Sequence, residues 1–148
     1  MTKRLDDATQ FMLSAFHGQF DWAGLPVAMH SMQVMNTVNP ATESNKVVGV
    51  LHDILEDTKY KVDDLIAAIG LNEEEEEALV LLTHAKHVPY KDYVRRIRDS
   101  KNEIAFAVKL ADIKHNCSRN LDKLPEETAI RLKNKYDAAL KILTGEMQ

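Results

Sequence analysis

Six residues of this chain, His30, His52, Asp53, Glu56, Asp57 and Asp112, combine imidazole and acid groups at spacings that helical periodicity turns to one side. His52, Asp53, Glu56 and Asp57 occupy positions i, i+1, i+4 and i+5, a narrow polar stripe beside an apolar one. His30 lies three residues after Val27 and four before Val34, and Asp112 lies four after Val108, so each takes the inward direction of its apolar neighbours. Burying unpaired carboxylates is costly, and this many inward acids call for a counter-charge.

A divalent cation supplies it. Two imidazoles and two carboxylates, His30, His52, Asp53 and Asp112, form a mixed nitrogen and oxygen set that suits Mn²⁺, Fe²⁺, Ni²⁺ or Zn²⁺ and is too nitrogen-rich for Mg²⁺ or Ca²⁺. Four protein ligands leave positions on an octahedral ion for water and substrate. Glu56 and Asp57, one turn beyond the central pair, are placed to orient or deprotonate a water whose pKa a cation lowers. Phosphoester or pyrophosphate cleavage is the natural reaction, because negative charge develops beside the ion.

The elements that must position these groups read as helices throughout. Apolar spacing through Leu5, Ala8, Met12, Ala15 and Phe16 predicts a first helix closing near Gly18, and residues 19 to 25 form a loop. Pro26 suits the first turn of a second helix, which Pro40 ends. A third is expected from Ser44 to Asp57, with Val47, Val48, Leu51, Ile54 and Leu55 as its buried stripe. A short helix closed by Gly70, a fifth capped by Asn72, a sixth opened by Pro89, a long seventh capped by Asn102 and a last one after Pro125 complete the chain. The run Glu73 to Glu77 reads as acids favouring the positive end of a helix dipole. No strand pattern or repeat interrupts this, so the expectation is an all-α fold, a single helical bundle of about seven to eight helices spanning residues 1–148.

Composition agrees and excludes other classes. The 148 residues hold only 5 Gly and 4 Pro, with 45% hydrophobic and 28% charged residues, enough apolar material for one buried core. A net charge of −4 argues against general nucleic-acid binding, and no duplex partner is expected. The lone Cys117 cannot form an internal bridge, and no segment reaches the length of a membrane span. A cytoplasmic protein without membrane attachment is expected; oligomeric state is not written in these patterns.

His30, the string Val50-Leu-His-Asp-Ile-Leu-Glu-Asp-Thr58, Leu82-Thr83, Tyr90-x-x-Tyr93-x-x-Arg96 and Val108-Lys-Leu-Ala-Asp112-x-x-x-Asn116 together resemble the HD-domain metal-dependent phosphohydrolases. Within them the set is most similar to the small alarmone hydrolases and the hydrolase half of RelA/SpoT proteins, and Lys135-Tyr136-x-x-Ala139-Leu140 extends the likeness. The resemblance implies one Mn²⁺ per chain on His30, His52, Asp53 and Asp112, with Glu56 and Asp57 catalytic and Asn116 helping to hold substrate. It also implies removal of pyrophosphate from the 3′ position of guanosine tetraphosphate (ppGpp), a small phosphorylated nucleotide.

Departures fall where substrate would be read. The basic pair usual in the loop before the first histidine is Asp21-Trp22 here, Val27 stands for a tyrosine, and Ser31 for a proline. Lys109 and Arg96 are among the cations available to compensate, Trp22 is placed to stack on a base or to cover the core, and Tyr93 to line the cleft or pack. His84 and His87 fall where binuclear relatives carry further ligands, but a helix end and its loop explain them better. His115 is expected to sit behind the ligands or at the surface. The alternatives are a nucleotidase or phosphodiesterase of the same superfamily, or a catalytically silent nucleotide-binding module.

Overall fold

The computed structural model describes residues 2–148. Nine helical segments follow in order: α1 (Lys3–Ala15), α2 (Ala28–Thr37), α3 (Glu43–Leu51), α4 (Ile54–Asp57), α5 (Val62–Ile69), α6 (Glu73–Leu82), α7 (Tyr90–Asp99), α8 (Glu103–Ser118) and α9 (Glu126–Leu143). The fold is all-α as expected, the extra segment arising because α4 is a single turn split from α3. Among the described residues no strand forms, and Phe20 and Pro26 make one isolated antiparallel bridge.

Local chemistry sets the boundaries. Thr42 caps α3 by accepting from the Asn45 amide at 3.1 Å, and Asn102 caps α8 by accepting from Ala105 at 2.9 Å. Gly70, at φ 78°, closes α5 in the left-handed region that disfavours side chains with a Cβ. α3 is the central element, packed against α1, α2, α6 and α8, and its Val47, Val48, Val50 and Leu51 are fully buried. Each such side chain contributes about 1.5–3 kcal/mol by leaving water. His52 and Asp53 of the candidate site therefore follow directly on the most deeply buried helix.

Two expectations need correction. The helix expected from Ser44 to Asp57 breaks at His52 and Asp53, because His52 Nδ1–H donates to the Gly49 carbonyl at 2.7 Å, competing for the acceptor a continuous helix offers to Asp53. Pro26 precedes α2 rather than opening it, since residues 19 to 27 close on themselves through Asp21 N–H to Leu25 O at 2.8 Å and Val27 N–H to Gln19 O at 3.0 Å. The glutamate run does fill the first turn of α6 as expected, and one member does more: Glu75 is fully buried, completes the capping box with Asn72, and receives two Arg4 guanidinium nitrogens at 2.9 and 2.6 Å.

Candidate metal centre

Two helices and one break between helices meet at the site. His30 comes from α2, His52 and Asp53 from the α3–α4 break, and Asp112 from α8. His30, His52 and Asp112 offer donor atoms that all lie within 4.8 Å of one another. His30 Nε2 is 2.7 Å and His52 Nε2 is 3.4 Å from Asp112 Oδ1. Asp53 stands beside this trio, its Oδ2 3.7 Å from His30 Nε2 and 3.2 Å from His52 Nε2. All four residues singled out by spacing are thus brought together.

Their chemistry fits a cation. His52 is buried, its Nδ1–H is committed to Gly49, and its Nε2 has no hydrogen-bond partner despite the nearby carboxylate oxygens. An orphaned buried nitrogen facing two acids is a costly arrangement unless something positive stands between them. Bonds of about 2.1 Å around an octahedral ion put adjacent donors about 3 Å apart, which matches the separations here. Without a cation, burial pulls the His52 imidazole down, but Asp53 and Asp112 outweigh it and raise the group to about 9.

The surroundings hold these donors in place. Burial would raise the Asp112 carboxyl, yet the Lys109 ammonium, 2.9 Å from Oδ2, and the two imidazoles hold it well below the usual range. Asn116 donates from Nδ2 to Asp112 Oδ1 at 3.3 Å. Lys109 is itself buried, its ammonium 4.8 and 5.5 Å from the ring centres of Tyr93 and Tyr90. Its contacts are therefore Asp112 and two aromatic faces rather than an open cleft. Tyr93 is likewise buried and donates its hydroxyl to the Leu82 carbonyl at 2.6 Å.

Glu56 and Asp57 lie at the exposed end of α4. Glu56 Oε1 accepts from the His84 amide at 2.7 Å, and both acids line an open cavity of about 600 Å³ with Ser14, Gln19 and Tyr60. Partial burial, then the Asp53 and Glu56 charges, raise Asp57 to about 6. His84 turns its Nε2 to the Val88 carbonyl and stacks on Tyr93 at 4.7 Å, while His87 is exposed, so neither joins the cluster.

The side expected to read substrate departs more from expectation. Trp22 is 38% exposed and sits beside Arg119, whose guanidinium carbon lies 5.4 Å from the ring centre and which pairs with Asp21. Asp21 also accepts from the Ala23 and Leu25 amides, fixing the loop. Trp22, Leu25, Met29, His30 and His115 line a cavity of about 290 Å³. Arg96 is exposed on α7 with no ion pair among the described residues. Lys135, missed by spacing arguments, reaches from α9 to 4.3 Å from the Tyr90 ring centre, and only its place in the Lys135-Tyr136 pair hinted at a role.

A nine-segment helical bundle whose interior presents two imidazoles and two carboxylates to one point defines the class of architecture. No protein-family profile matches the chain. Its fold is shared with a solved structure described as a metazoan ortholog of SpoT that hydrolyses ppGpp and plays a role in starvation responses: the TM-score is 0.78 at 17% sequence identity, over 98% of this chain and 88% of that one. At that identity the likeness is one of fold, and it accords with the resemblance carried by the motifs. No helix among the described residues is long and apolar enough to cross a membrane.

Proposed function

We propose that residues 1–148 act as one HD-type domain, a cytoplasmic metal-dependent phosphohydrolase that cleaves a phosphorylated nucleotide, with guanosine 3′,5′-bis(diphosphate) losing its 3′ pyrophosphate as the leading reaction. The observation that carries the reading is the convergence of His30, His52, Asp53 and Asp112 around an unpartnered His52 Nε2. Those four would hold the ion, Mn²⁺ being the best match to the donor set and the resemblance. When bound, the ion would lower the pKa of a water and draw charge from a phosphoryl oxygen.

The chain's own residues do the rest. Glu56, one oxygen anchored by the His84 amide, orients the attacking water with the other, and Asp57, raised to about 6, accepts its proton close to neutral pH. Lys109 and Asn116 fix the Asp112 carboxylate, and Asn116 reaches toward the substrate from the same turn. Trp22 offers a face to the base, while Lys91, Arg95 and Lys135 around a cavity of about 360 Å³ beside Tyr90 supply positive charge for phosphates. Tyr93 and Arg96 act from further out, Tyr93 by seating Lys109.

The Asp21–Arg119 pair favours a second reading, a different HD substrate such as a nucleoside monophosphate or a cyclic nucleotide, because the loop brings no free cation to the Trp22 cavity. Incubating Mn²⁺-loaded protein with guanosine polyphosphates, dinucleotides, monophosphates and cyclic nucleotides separates these. Pyrophosphate release from ppGpp that Asp53→Ala abolishes supports the leading reaction; turnover confined to another nucleotide selects the second. Ligand-induced stabilisation with no product from any nucleotide marks a silent binding module and ends the enzymatic reading.

A further inference from the structure

The His30 ring has a second neighbour. Its plane lies 24° from that of His115, the ring centres are 4.9 Å apart, and the two Nδ1 atoms are 2.6 Å from each other. That contact joins α2 to α8 beside the candidate centre, on the side facing the Trp22 cavity.

An imidazole that turns a lone pair on Nε2 toward an ion must carry its hydrogen on Nδ1, and that hydrogen needs an acceptor. Carboxylates, backbone carbonyls and waters commonly fill this role in metalloproteins. For His52 the Gly49 carbonyl does so. For His30 the atom in reach is His115 Nδ1, a nitrogen with one lone pair when the ring carries its hydrogen on Nε2.

We propose that His115 is a positioning residue for the metal centre, accepting the His30 Nδ1–H and so fixing both the tautomer and the ring plane of that ligand. The inference rests on the metal-dependent reading above. The two rings meet edge to edge, nearly coplanar, so the hydrogen bond lies along the line of their centres and selects which nitrogen of His30 faces Asp112 and the ion. Asn116, one residue further along α8, steadies the carboxylate in parallel, so one helical turn would order ligands from two helices.

Calorimetric titration of the full metal-free chain with Mn²⁺, and with Co²⁺ followed by its visible spectrum, tests this. Loss of such an outer partner weakens metal binding by about 10–100-fold, so His115→Leu should bind Mn²⁺ that much more weakly and shift the Co²⁺ bands. His115→Asn keeps an acceptor oxygen near the position of Nδ1 and should bind within about threefold of the parent with its spectrum restored. Melting of the metal-free variants establishes that both are folded. Parent-like affinity in His115→Leu, or equal loss in a folded His115→Asn, overturns the inference while leaving the metal reading intact. A parent chain that binds neither ion removes that reading and this inference with it.

Discussion

The Lys109 ammonium lies 2.9 Å from Asp112 Oδ2 while Oδ1 of the same carboxylate faces His30 at 2.7 Å. One acid is thus divided between an internal cation and the position proposed for an external one. Replacing Lys109 by Met leaves Asp112 buried with half its compensation, which costs about 3–5 kcal/mol when one partner of a buried pair is removed. Denaturant melts of metal-free Lys109→Met should show that loss, and saturating Mn²⁺ should stabilise the variant more than it stabilises the parent. Equal metal increments would refute the shared-carboxylate account.

Metal removal gives a direct measure. An ion at one hundred times its dissociation constant adds about 2.7 kcal/mol to folding. For a domain of this size that corresponds to roughly 5–10 °C in melting temperature. Chelation should therefore lower the melting point of the parent by several degrees and leave His52→Ala unaffected. A parent indifferent to chelator would mean that the four donors form a purely structural cluster.

Asp57 sets a pH dependence. Its folded pKa of about 6 exceeds the value of 3.8 for an unperturbed group, so the ionised carboxylate is disfavoured by the fold. The cost is fully present above about pH 6 and is relieved as pH falls toward 4. Because the side chain is exposed, the effect after solvent screening is about 1 kcal/mol or less. Metal-free Asp57→Asn should accordingly be slightly more stable than the metal-free parent at pH 7 and equal to it near pH 4, and the Mn²⁺-loaded variant should lose turnover. A variant less stable at pH 7 would contradict the assignment.

Half-buried Arg4 pairs with the fully buried Glu75, tying the start of α1 to α6 and, through Glu43 at 3.1 Å, to α3. Arg4→Met should cost about 3–5 kcal/mol by stranding a fully buried carboxylate. Arg4→Met with Glu75→Met should recover at least half of it, the remainder reflecting the lost capping bond to Asn72. Thermal unfolding of the two variants decides between a charge effect and simple packing.

The site was more legible in the sequence than the details around it, for identifiable reasons. His52, Asp53, Glu56 and Asp57 stand out because acids interrupt an apolar period, and that interruption survives whatever the backbone does locally. The break after Leu51 was hidden, since it comes from a His52 side-chain bond to Gly49 that no spacing records. Glu75 looked like its neighbours in a glutamate run, and only Arg4, 71 residues earlier, distinguishes it. Lys109 reads as an available cation until Tyr90, Tyr93 and Asp112 close around it. Local pattern carries element type and donor identity, whereas long-range partners decide which charges are spent.

The hairpin-like loop ahead of α2 has a bearing on how this molecule chooses what it binds. Its single acid locks the loop amides with one oxygen and pairs with the facing guanidinium through the other, so the loop itself turns indole and leucine, with Met29 of α2, toward the mouth beside His30. On the proposed reading, recognition of a base there would run on flatness and fit, insensitive to ionic strength, and the cations of α7 and α9 would contribute the long-range pull on a polyanion.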